Sequence, residues 1–220
     1  MTDTPSAPRP TDVLNVRGLA AKREYVRGLE QRRDPEALSL LVEALCDESW
    51  YLRDLAGQAF RRLGAAAAPA LLPLLDQGLW YTRTCAAAIL GELGFRDAIP
   101  GLLRLTAESN RTVAETACDA LVAIAHAGGT ARIGWELNRL EPGPRGACIE
   151  AIVARDRGLQ PRLEGVMRDP ELMRIEDPAR LPDEAPLARA RAAGTARDAS
   201  TRPVPPPTRA PAGEPDATAG

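Results

Sequence analysis

The chain has one histidine, His126, and one lysine, Lys22, in 220 residues, and aromatic side chains make up only 4% of it. A single imidazole excludes the His-rich ligand sets of many metalloenzymes and leaves little for acid–base work. His126 stands after a helix-like stretch and before Gly128-Gly129, a helix-end position near the carboxyl dipole. No GxGxxG, Walker A or GxSxG motif occurs. Asp47-Glu48, Glu171, Glu176 and Asp177 fall in turns or polar stretches, where solvation accounts for them. The expectation is a protein that is not an enzyme and carries neither cofactor nor metal.

Long apolar runs are missing as well. Ala65 to Leu75, broken by Pro69 and Pro73, falls short of the roughly 18 apolar residues that span a bilayer. The opening MTDTPSAPRPTD is polar, and Arg17, Lys22 and Arg23 interrupt the region where a secretory signal needs an apolar core, so no export is expected. Cys46, Cys85, Cys118 and Cys148 form no CxxC pair and lie among apolar neighbours, the pattern of reduced core thiols in a cytoplasmic protein. A net charge of −2 supplies no field that favours nucleic acid or an anionic membrane.

What the sequence does have is repetition. Trp50–Gly64 (WYLRDLAGQAFRRLG), Trp80–Gly94 (WYTRTCAAAILGELG) and Arg111–Ala125 (RTVAETACDALVAIA) align without gaps at offsets of 30 and 31 residues. A fixed period of this length marks a stack of units, each burying its apolar face against its neighbours. In each unit Ala56, Ala86 or Ala117 is followed at helical spacing by Phe60 and Leu63, Leu90 and Leu93, or Leu121 and Ile124. Ahead of these lie a second set of apolar faces: Ala37, Leu38, Leu41 and Leu45; then Leu71, Leu72 and Leu75; then Ile99, Leu102, Leu103 and Leu105. The unit is therefore a helix–turn–helix. Asp34-Pro35 marks a helix start, Gly64 and Gly94 mark helix stops, and Asp97 precedes the third outer helix.

Ala68-Pro69-Ala70-Leu71-Leu72, Ala98-Ile99-Pro100-Gly101-Leu102-Leu103, and the Arg and Ala of Trp-Tyr-x-Arg-x-x-Ala at 50–56 and 80–86 resemble the HEAT repeat, in its short bacterial form shared with phycobilisome-lyase-like proteins. The resemblance implies an all-α fold, a right-handed α-solenoid of about four to five HEAT-like repeats, with clear units at 34–64, 65–94 and 95–125. It also implies that the arginine early in the inner helix pairs with an acidic turn residue, Arg53 with Asp47 and Arg83 with Asp76. The third unit departs from this, with Ala114 where the arginine would stand. The His-rich di-iron site of some HEAT-repeat hydroxylases is excluded by the histidine count.

A degenerate fourth unit spans 126–156, with an outer helix over 131–140, Pro142-Gly143-Pro144 as turn and Arg145 to Arg155 as inner helix. Segments 11–32 and 158–175 are expected as cap helices, which solenoids need at their ends. Residues 1–10 read as a flexible N-terminus. From 178 to 220 the chain holds nine of its twenty prolines and no aromatic residue, the composition of a disordered tail, and Pro203-Val204-Pro205-Pro206-Pro207 reads as plain linker rather than a docking motif.

Four of the eight aromatic residues form two equivalent pairs, Trp50-Tyr51 and Trp80-Tyr81, at the entry to successive inner helices. Stacked helices sit about 8–10 Å apart, so the pairs are expected side by side. One reading has the indoles closing the turn against the core. The other has them forming an edge patch for a partner, since Trp and Tyr are enriched in binding hot spots. Both hold if the indoles are half-buried and the tyrosines exposed. Arginines at 53, 61, 62, 83, 104, 111 and 139 are scattered among the repeats. HEAT-like DNA glycosylases hold a duplex on such a concave face, and Arg83 and Arg111 with Trp80 would be the nearest analogue, but Glu92, Glu108, Glu115 and Asp119 are interspersed and leave few phosphate contacts.

The leading expectation is a cytoplasmic, non-enzymatic adaptor that binds another protein, of unknown identity, through its concave face and aromatic edge. Its protein-binding residues would be Trp50, Tyr51, Arg53, Trp80, Tyr81, Arg83 and Arg111, with a monomer favoured. The alternatives are an accessory protein of the phycobilin-lyase-like class, assisting cofactor attachment to a client, and a HEAT-like DNA-binding or glycosylase protein.

Overall fold

Asp34 begins the first complete hairpin by accepting a hydrogen bond from the Ala37 amide at 2.8 Å, and Pro35 at the first helical position gives up no internal hydrogen bond. From such local signals the computed structural model builds ten α-helices across the residues it describes, 18–182, with no strand among them. They are α1 (Leu19–Arg32), α2 (Pro35–Cys46), α3 (Trp50–Leu63), α4 (Trp80–Glu92), α5 (Ile99–Leu105), α6 (Arg111–Ile124), α7 (Thr130–Asn138), α8 (Pro142–Arg155), α9 (Gln160–Arg168) and α10 (Pro170–Met173). A 3₁₀ segment, Ala68–Leu75, stands between α3 and α4.

The principal contacts fall into two rows. α1, α3, α4, α6 and α8 touch in succession, and α2, the 3₁₀ segment, α5, α7 and α9 do the same. Within each hairpin the two rows pack on each other: α2 on α3, the 3₁₀ segment on α4, α5 on α6. The alanines that lead each repeated apolar face, Ala56, Ala86 and Ala117, are all fully buried. Around them lie Phe60, Leu41, Leu52, Leu71, Ile89, Leu90, Leu102 and Leu121, each also fully buried. At about 1.5–3 kcal/mol per such side chain, this continuous core outweighs the exposed ion pairs, which contribute about 0–1 kcal/mol each.

The closest approach is between α4 and α6. A Cβ added to Gly91 would lie 2.5 Å from the Ala120 Cα, so only glycine lets the two backbones meet. Gly64 and Gly94 end their helices with φ of 70° and 64°, as their positions predict. A π-turn, Ala125–Gly129, with Gly128 at φ 94°, runs straight from α6 into α7.

Several expectations need correction. The second outer element is 3₁₀ rather than α-helical, because Pro73 has no N–H to donate and its ring crowds the preceding turn. Asp97 lies inside a 3₁₀ turn, Arg96–Ala98, rather than capping α5 directly. α8 begins at Pro142, not Arg145, since proline is well placed at a first helical position. Cys46 is exposed and Cys85 half-buried, so only Cys118 and Cys148 are core thiols. Pro178–Arg180, placed at the start of the tail, form a 3₁₀ turn, and Leu181 after them is buried. The rest of that tail, the PxxP stretch and residues 1–17 lie outside the described residues.

α1 does more than cover an end. Its Arg23 is 30 residues before Arg53 and 60 before Arg83, and the helix packs on α3 in the inner row as α3 packs on α4. Lys22 is buried beside it, its Nζ donating to Ser49 Oγ at 3.3 Å. The far end is closed by α9 and α10, with Trp135 of α7 donating its indole N–H to the Ile175 carbonyl at 2.8 Å and the Arg139 guanidinium 3.6 Å from the Trp135 ring centroid.

Gly91→Ala tests whether the α4–α6 approach limits the fold. Helix propensity alone favours alanine by about 1 kcal/mol, whereas overpacking costs about 1–3 kcal/mol, and a backbone neighbour cannot swing aside. The expected result is a net loss of stability in urea titration. Gly57→Ala, whose nearest neighbour is the flexible Arg61 side chain at 3.2 Å, is expected to be neutral or stabilising.

Candidate aromatic edge

Trp50 and Trp80 are the first residues of α3 and α4, which places both indoles at the turns where outer elements hand over to inner helices. Each indole meets the following tyrosine edge to face, with ring centroids 5.8 Å apart in both pairs and interplanar angles of 77° and 79°. Identical geometry in two units follows from identical local sequence on identical backbone. Trp50 is 70% exposed and Trp80 is 49% exposed. The tyrosines are half-buried. This is the reverse of half-buried indoles with exposed tyrosines, and neither indole closes its turn against the core.

Arg53 ties the end of α2 to Tyr81 of the next unit. Its Nη1 donates to the Asp47 and Glu48 carbonyls, both at 2.8 Å, which satisfies carbonyls at the end of α2. Its guanidinium carbon lies 4.3 Å from the Tyr81 ring centroid, in the next unit. One unit earlier, Arg23 donates to the Tyr51 hydroxyl at 2.9 and 3.2 Å. An arginine on one inner helix thus holds the tyrosine of the next, twice in register.

The expected Arg53–Asp47 and Arg83–Asp76 carboxylate pairs do not form. Arg53 takes the Asp47 main chain instead. Arg83 reaches Glu108 at 3.1 Å, and Asp76 is taken by Arg104 at 2.7 Å. Arg111 opens α6 where Trp50 and Trp80 open their helices, and pairs with Glu115 at 2.7 Å. Of the seven residues expected from the sequence, Trp50 meets Tyr51, Trp80 meets Tyr81 and Arg53 stacks on Tyr81, while Arg83 and Arg111 engage carboxylates. Leu79, 59% exposed beside Trp80, and Leu19, 62% exposed at the start of α1, were not singled out by sequence reasoning. Their signal was the register, since Leu19, Ser49 and Leu79 recur every 30 residues.

Three further arginines pair with carboxylates along the inner helices. Arg62 grips Glu30 with two bonds of 2.7 Å, Arg61 reaches Glu92 at 2.9 Å, and Arg155 approaches Asp119 at 3.3 Å. His126 at the end of α6 contacts Asp156 at 2.8 Å, and Asp156 also caps the turn that follows α8 by accepting from the Gly158 amide. Among the described residues no group of three or more His, Cys, Asp or Glu is placed to hold a metal ion, and no helix is long and apolar enough to cross a membrane. No protein-family model matches the sequence, and no curated protein matches it.

Two outcomes follow from this geometry. Hydrogen bonds from Arg62 and Arg61 hold the Glu30 and Glu92 carboxyls below their ordinary range. Folding thus lowers these pKa values, so the pairs stabilise fully above the unfolded glutamate value of about 4.3, and that contribution is lost as pH falls through the folded values. The urea midpoint is expected to drop less on acidification in a Glu30→Gln/Glu92→Gln variant than in the parent. In iodide quenching of tryptophan fluorescence, Trp50 and Trp80 are expected to be readily quenched and Trp135 protected. A single uniform quenching constant for all three would contradict the exposures described.

Proposed function

We propose that this chain is a non-enzymatic scaffold, a right-handed α-solenoid of HEAT-like hairpins that holds another protein against the Trp50–Trp80 edge. The observation that carries the reading is the pair of exposed indoles on consecutive inner helices, with Arg53 seated on the Tyr81 ring beside Trp80. Large aromatic groups left in water on a well-packed frame cost solvation that a partner would recover. The frame supports the reading because Arg53 and Arg23 already fix the tyrosines beneath the indoles, so little side-chain freedom would be lost on docking. The two-row packing of hairpins and the 30-residue register of α1, α3 and α4 support the solenoid.

Ion pairing speaks against a duplex-binding face. Arg61, Arg62, Arg83, Arg104 and Arg111 each face a carboxylate, and a phosphate would have to displace it.

The test is affinity purification from native cells with the parent and a Trp50→Ala/Trp80→Ala variant, leaving the structural tyrosines in place. Any captured protein is then purified and titrated against both. Hot-spot indoles contribute about 2 kcal/mol or more each, so the double variant is expected to bind more than a hundredfold more weakly at unchanged helicity. Equal affinity for the same partner would refute the edge.

A further inference from the structure

Ala147 of α8 corresponds in register to Ala56, Ala86 and Ala117, all fully buried, yet Ala147 is exposed. The reason lies at the first turn of the same helix. Leu52, Thr82 and Val113 anchor the first turns of α3, α4 and α6 with at most 1% exposure, and the equivalent residue of α8 is Gly143, where an added Cβ would meet nothing within 4 Å. α8 packs more loosely on α7 and on α6 than α6 does on α5 and on α4. A cleft of about 480 Å³ opens between α5, α7 and α8, walled by Pro100, Leu103, Ala107, Leu140, Pro144 and Ala147. That volume lies within the roughly 300–1,000 Å³ of small-molecule sites.

The polar groups of this cleft are already matched. The Thr106 hydroxyl donates to the Leu103 carbonyl at 2.8 Å, and the Cys148 thiol lies 3.2 Å from that hydroxyl and 3.7 Å from the same carbonyl. At the rim Arg104 is held by Asp76 at 2.7 Å and Glu136 by Arg132 at 2.9 Å. An apolar occupant therefore strands no donor or acceptor, whereas a charged one would have to compete with formed pairs. We propose that the α5–α7–α8 cleft is a binding site for an uncharged, largely apolar small molecule. The site is separate from the aromatic edge and does not depend on the scaffold reading.

The uncharged, environment-sensitive dye prodan tests this with the full chain. The parent is expected to bind it saturably at one site with a blue-shifted emission and a raised Tm. Ala147→Phe and Ala107→Leu, both placing bulk in the cleft from exposed positions, are expected to weaken binding by about tenfold or more at parental helicity. Trp50→Ala/Trp80→Ala is expected to bind the dye as the parent does, which keeps failure of the edge distinct from failure of the cleft. Absence of saturable binding to the parent, or equal binding by both filled variants, would overturn the proposal. If the filled variants instead lose a captured protein while no dye binds, the cleft receives a partner's side chain and the small-molecule assignment fails.

Discussion

The distance between adjacent inner helices governs the rest of this molecule. Gly91 brings α4 against the Ala120 backbone, and Ala56, Ala86 and Ala117 stand fully buried on the same row of helices. The two elements of each hairpin pack on each other and each inner helix also packs on the next, so burial comes from within the hairpin and from its neighbour together. Beside Gly143, where α8 has no buried first-turn side chain, a cleft opens between α5, α7 and α8. One pattern of small and large residues thus runs through both the core and the apolar cleft beside α8.

Charge follows the same geometry. Arginines on one inner helix reach carboxylates or tyrosines on a neighbouring one, as in Arg62–Glu30, Arg61–Glu92, Arg23–Tyr51 and Arg53–Tyr81. These exposed or half-exposed contacts contribute modestly to stability, but they fix the direction of the side chains they hold. The tyrosines are tied down, and the tryptophans beside them are left facing water.

Much of the fold was legible because it rests on local chemistry. The cap at Asp34, the stops at Gly64 and Gly94 and the alanines at helical spacing each act through near neighbours in sequence. The proline effect at Pro73 was legible too, but the apolar pattern of Leu71, Leu72 and Leu75 suits a 3₁₀ turn as well as an α-helix, and the pattern was read as α. Side-chain partners were less legible. Arg83 finds Glu108 rather than Asp76 because the nearest carboxylate in space belongs to the next unit, and spacing within a unit carries no record of it. The exposure of Trp50 and Trp80 was equally hidden, since a residue opening a helix can turn inward or outward on the same sequence.

The single lysine of the chain is among its buried residues, with its ammonium held by Ser49 between α1 and α3. Every other cationic side chain is a guanidinium, which does not undergo acylation under conditions that modify amines. Enzymes that tag proteins by forming an isopeptide bond would therefore find no accessible acceptor on the folded helices. Unpacking α1 would create one, so conjugation at Lys22 would report local opening of this end of the inner row.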